Sequence, residues 1–203
     1  MADFIGAKNL FFWKVTEDSE ENYTADTPKR LSRIAEISQT TEQAQNVVYY
    51  DNVAAYAVNS KGGTTITATV EGLALEILAE LHGTTIDPAT GALIDSGEAK
   101  NLNFGVAFQA DYVGEEGSRY YSFPKVTISI PDESSKTKDA GTDTLNQSLT
   151  ITAVSTIHKF ESTGETCKVV ISDTENGGEV LDFSKWFTQA ITPDALETIK
   201  KSA

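Results

Sequence analysis

The chain has 203 residues, with 30 acidic against 16 basic side chains and a formal net charge of -14. That length suits one domain with a sizeable core, while a surface this acidic repels phosphate backbones and excludes a module that binds nucleic acid by charge attraction. The single cysteine, Cys167, excludes an intrachain disulfide and any cysteine metal cluster.

Residues 8–15 hold Leu10, Phe11, Phe12, Trp13 and Val15, which predicts a strand covered on both faces in its middle. Residues 16–26 carry five acids and no base, and read as a solvated loop. Residues 29–37 read as a second strand, with Leu31, Arg33, Ala35 and Ile37 on one face. Residues 38–60 are polar yet rich in tyrosine, and predict a long hairpin or arm projecting from the body, because such a segment needs another surface to settle on. Ser60-Lys61-Gly62-Gly63 reads as a turn. Residues 64–71 then alternate cleanly, with Ile66, Ala68 and Val70 toward the core and Thr65, Thr67, Thr69 and Glu71 outward.

At Leu73 the period changes. Leu73, Ile77, Leu78 and Leu81 fall at helical spacing, and Gly83 suits a left-handed cap. A helix this short packs across a sheet or does not form. Asp87-Pro88-Ala89-Thr90-Gly91 predicts a tight turn rather than a calcium loop, since the alternating ligands of such a loop are missing. Residues 102–112 and 118–130 predict a β-hairpin, in which Val126, Ile128 and Ile130 alternate with Thr127 and Ser129. Residues 131–145 form a long charged loop of the kind that carries function. Residues 146–160 return as a strand with Leu149, Ile151, Ala153 and Ile157 on one face, and 167–172 as a short one that half-buries Cys167. The C-terminus reads as helical, with Phe183, Trp186, Phe187 and Ile191 on one face. Thr192 caps a further helix that opens with Pro193 and ends at Lys200 and Lys201.

Little here is arranged for chemistry. The two histidines, His82 and His158, are far apart in sequence, with no His-x-x-x-His pair, no Gly-x-Ser-x-Gly elbow and no phosphate loop. The acidic residues read as loop residues, not as a positioned glycosidase pair. The sequence therefore points to no enzyme, no catalytic residue, no metal site and no cofactor. The N-terminus lacks a basic region followed by a long apolar run, and no window approaches the ~20 apolar residues of a membrane span. The expectation is a protein made in the cytoplasm that meets no membrane.

A series of short motifs in order carries a resemblance: Gly6-Ala7-Lys8-Asn9-Leu10-Phe11, Tyr49-Tyr50-Asp51-Asn52, Gly62-Gly63-Thr64, and Leu75-Glu76 through His82-Gly83. Gly91-Ala92-Leu93-Ile94, Arg119-Tyr120-Tyr121-Ser122-Phe123 and Lys136-Thr137-Lys138-Asp139 continue it. The chain resembles the major tail proteins of long-tailed bacteriophages. The resemblance implies a mainly β fold, a β-sandwich or split barrel with one short flanking helix, and a projecting arm. It implies a β domain over residues 1–163, containing the arm at 38–60 and the loop at 131–145. Residues 164–203 depart from the family as a fuller strand and helical extension, expected to pack on the same domain.

The function so implied is self-assembly into stacked, hexameric rings that form the tail tube, the conduit through which DNA leaves the virion. The arm and loop supply the expected subunit contacts: Gln43, Gln45, Tyr49, Tyr50, Asp51 and Tyr56 from the one, Lys136, Lys138 and Asp139 from the other. Thr65, Thr67, Thr69, Glu71, Thr127 and Ser129 are the expected lumen-facing positions, on a wall whose acidity would ease the passage of DNA. Partners would be copies of the chain itself, a tail-tip initiator, a tape measure and a tail terminator, with assembly in the host cytoplasm and final residence in the virion tail. The competing reading is an acidic β-sandwich that binds a receptor or carbohydrate, for which exposed aromatic residues would line a groove.

Overall fold

The computed structural model describes residues 4–50, 53–95, 97, 98, 100–113, 117–129 and 146–201, with backbone alone for 45–50 and 53–59. The described chain is mainly β. Nine antiparallel strands run in the order β2-β1-β6-β7-β8-β5-β4, with β3 also on β1 and β9 also on β7. They are β1 (Phe4–Asp18), β2 (Tyr23–Ala25), β3 (Lys29–Ser32), β4 (Ile34–Tyr50), β5 (Val53–Val70), β6 (Phe104–Tyr112), β7 (Ser118–Ser129), β8 (Gln147–Ala153) and β9 (Val170–Asp173).

The sheet curls until its two ends share one core. Leu10 and Phe12 of β1 pack in one cluster with Ile66, Ala68 and Val70 of β5 and with Leu149 and Ile151 of β8. Strands so distant in the sheet order meet only if the sheet folds over into a sandwich. The alternation expected at 64–71 is therefore present, with those three β5 side chains fully buried. The middle of β1 is covered on both faces, as its unbroken apolar run predicts. Phe12 faces the sandwich core, and Trp13 and Val15 face a second cluster built with Phe160, Cys167, Trp186, Ile191 and Ile199. Helix α1 (Leu75–His82) lies at the core's edge and buries Ala79 and Leu81. Gly83 caps it at φ 65°, its N–H donating to the carbonyls of Ala79 and Glu80. The Asp87 turn is also as expected: Gly91 takes φ 68°, and the Asp87 carboxylate accepts from the Ala89 N–H and the Thr90 hydroxyl.

Five local expectations are corrected. The acidic run at 16–26 is not a free loop, because β1 continues to Asp18 and Tyr23–Ala25 returns on it as β2. The strand expected at 29–37 is two strands. β3 pairs with β1 and β4 pairs with β5, so the chain changes partner at Arg33, whose side chain is 79% exposed while Leu31 is buried. Gly62-Gly63 is not a turn, since β5 continues through it. β8 ends at Ala153, and Ile157 is 51% exposed beyond it. The C-terminus forms no long helix. It has a four-residue helix α2 (Thr174–Gly177) and two 3-10 turns, Phe183–Lys185 and Asp194–Ile199. The side-chain caps are nevertheless present: Asp182 accepts from the Ser184 N–H, and Thr192, as expected, from the Ala195 N–H.

Candidate assembly surfaces

The hairpin of β4 and β5 is far longer than the body needs. Its ladder runs from Ile34↔Val70 to Tyr50↔Val53, while β8 covers β5 only from Thr64 to Val70. From Lys61 outward the two strands have, among the described residues, only each other as sheet partners, so the hairpin stands as an arm. At its base, Thr41 pairs with Thr64 and Gln43 with Lys61, leaving Gly62 and Gly63 opposite Glu42 alone. This is a β-bulge, and glycine suits it. A Cβ on Gly62 would come within 2.9 Å of the Glu42 carboxylate. The pair that resembled a turn is thus the joint between body and arm.

The expected contact residues fall on this arm where they are described. Gln43 is exposed on β4. Gln45 pairs with Asn59, Tyr49 with Ala54, Tyr50 with Val53, and Tyr56 with Val48 along the backbone ladder. Asp51, Lys136, Lys138 and Asp139 lie outside the described residues.

The expected lumen positions come together on one face. In one cross-strand row, Thr40 of β4 opposes Thr65, Thr65 opposes Thr152 of β8, and Thr152 opposes Thr127 of β7. In the next row, Ser38, Thr67, Thr150 and Ser129 stand side by side. A third row joins Glu36, Thr69 and Ser148. None of these side chains is buried, and on β5 and β8 the alternate residues Ile66, Ala68, Val70, Leu149, Ile151 and Ala153 are the ones turned to the core. Glu71 lies just past the end of β5, with its carboxylate 3.7 Å from Arg33. Sequence reasoning identified Thr65, Thr67, Thr69, Thr127 and Ser129 from alternation. It missed Thr40, Ser38, Thr150 and Thr152, whose membership depends on register between distant strands.

The opposite outcome holds at β1, β6 and β7, whose outer face is covered by a layer from residues 154–201, apart from β9, which pairs in the sheet at the edge of β7. Trp186 is fully buried there and lies beside Tyr120 at a ring distance of 5.5 Å. Phe11 and Phe187 stack at 5.0 Å. Asp18 fastens the start of this layer. Its carboxylate accepts from Lys125 Nζ at 2.6 Å and from the backbone N–H groups of Ile157 and His158 at 2.9 and 3.0 Å. Asp194 fastens the end, accepting from the N–H groups of Glu161 and Ser162. No signal in the sequence distinguished Asp18 from the other acids of its run. Among the described residues there is no cluster of three or more His, Cys, Asp or Glu placed to hold a metal ion, and no helix long and apolar enough to cross a membrane.

A curled antiparallel sheet with a protruding hairpin, one face sealed and another bare, defines a β protein built to meet other surfaces. The family model for phage tail tube protein matches residues 18–190, and the chain belongs to that family. No curated protein matches it.

Proposed function

We propose that the chain is the structural subunit of a phage tail tube, assembling with copies of itself into stacked hexameric rings through which DNA is ejected. The match over residues 18–190 carries this reading. The arm supports it physically: paired strands that extend beyond the body gain stability by lying on another surface. In this reading Gln43, Gln45, Tyr49, Tyr50, Asp51 and Tyr56 dock on a neighbouring subunit, and Lys136, Lys138 and Asp139 add a second contact. The hydroxyl face of β4, β5, β8 and the end of β7 lines the lumen. The C-terminal layer, which covers the other face of β1, β6 and β7, lies away from it and completes one folding unit with residues 1–163. Function is assembly without catalysis. A tail-tip initiator starts the polymer, a tape measure sets its length and a terminator closes it, in the host cytoplasm, before the tube takes its place in the virion.

Electron microscopy of concentrated protein, with and without a tail-tip initiator, tests this. Hollow tubes are expected from the full chain. A variant lacking residues 40–58 should remain a folded monomer and form none. Normal tubes from that variant would remove the arm from the assembly mechanism. Monomers of the full chain under every condition, initiator included, would overturn the tube reading and favour the binding module.

A further inference from the structure

The tube reading leaves open how the wall treats the polyanion that passes it. A net charge of -14 suggests repulsion, yet the three cross-strand rows of the hydroxyl face hold only one of the chain's 30 acidic side chains. Its three rows contain threonine and serine with one carboxylate, Glu36, and no lysine or arginine; Glu42 follows at the next alternate position of β4, and Glu71, beside Arg33, lies just past the end of its strand. We propose, resting on the tube reading, that this face lets duplex DNA pass by offering it nothing to hold, rather than by repelling it.

Proteins hold duplex phosphates with lysine, arginine, helix N-termini and free backbone N–H groups, and the affinity comes largely from counterion release. On this face the backbone donors of β5 and β8 are directed into the ladder on both sides. Hydroxyls remain. A threonine hydroxyl that donates to a phosphate exchanges a hydrogen bond with water for one with the phosphate and releases no counterion, so each contact is weak and easily replaced. No aromatic side chain stands in the rows to stack on an opened base. Threonine also favours strands on packing grounds alone, and a purely structural role would leave passage indifferent to charges placed here.

Enclosure is tested first, on tubes of Thr67→Cys protein. Cys167 is buried, so the introduced thiol is the accessible one. It should react with a small maleimide in monomer and tube, and with a bulky polymer-linked maleimide in the monomer alone. Reaction with the bulky reagent in intact tubes would place the face outside and overturn the proposal, with the tube reading still standing. Wild-type protein that never polymerises would instead fail the tube reading itself.

Charge is tested in virions by triggered DNA release, taken as the ratio of variant to wild-type rate so that salt effects on the packaged DNA cancel. Thr67→Lys should slow release about tenfold at ~50 mM salt for each phosphate engaged per site, and approach wild type at ~500 mM. Glu36→Gln should leave the ratio at one in both. Slower release by Glu36→Gln would show that repulsion drives passage, and normal release by Thr67→Lys would show that wall chemistry does not matter. Either overturns the proposal.

Discussion

The side chain of Asp18 is 3% exposed, and its partner Lys125 13%. Burial by itself raises a carboxyl pKa. Here the hydrogen bond from Lys125, the N–H groups of His158 and Ile157 and the Lys125 charge outweigh burial and hold the Asp18 carboxyl below its ordinary range. A folded-state pKa below the unfolded one gives stability that is present above the unfolded value, about 4, and lost as pH falls through the folded value. Removing the charge leaves Lys125 buried without a partner, so Asp18→Asn should cost about 3 kcal/mol at pH 7. Urea midpoints of wild type and variant should converge as the pH drops below about 4. A gap that stays constant with pH would mean that Asp18 acts through shape alone. Gly105 presents a steric case. A Cβ there would lie 2.1 Å from the Trp13 ring, which is 1% exposed. That indole donates to the Tyr23 hydroxyl, which donates on to the Pro124 carbonyl. Gly105→Ala should therefore lose about 2–3 kcal/mol and disturb Trp13 fluorescence.

Elements defined by local contacts were legible, and those defined by distant partners were not. Helix α1 shows the first kind: a change of period, then Gly83 where a left-handed residue is needed. Gly83→Ala would add left-handed strain and bring a methyl within 2.8 Å of Leu102. A loss of about 1–2 kcal/mol in thermal or urea unfolding is expected, with α1 fraying first in hydrogen exchange. Arg33 shows the second kind. Leu31, Arg33, Ala35 and Ile37 alternate well enough for one strand, but β1 takes the first part and β5 the second, and a residue-35 irregularity shifts the phase. No pattern within nine residues contains that information. Tyr23 was hidden in the same way, because an acidic run reads as solvated until Trp13 and Pro124 arrive from elsewhere. Gly62-Gly63 was ambiguous in principle, since glycine pairs serve both turns and bulges, and only the partner strand decides. The hydroxyl face was half legible for the same reason: alternation gave its threonines on β5, and register alone added those on β8.

At the scale of the whole molecule, the C-terminal layer is the part on which sequence and structure differ most. The sequence predicts a helical extension packed on the same domain. The short turns observed instead thread three fully buried side chains, Trp186, Ile191 and Ile199, into one cluster with Trp13 and Ala107 of the sheet. Ser122 of β7, itself fully buried, donates to the Ile191 carbonyl. Each of those three side chains contributes about 2 kcal/mol by burial, an amount comparable with the total stability of many domains once summed. The sheet's outer face cannot then remain soluble without residues 154–201, because Trp13, Phe11 and Tyr120 would form one exposed apolar patch. The full chain should unfold in a single transition by circular dichroism and by tryptophan fluorescence alike. Trp186→Ala should shift that transition by about 3–5 kcal/mol without splitting it. A chain ending at residue 163 should aggregate or lack a cooperative transition. If it folded cooperatively and stayed monomeric, the two-sided burial of β1 would be dispensable, and the C-terminal layer would be a separable attachment after all.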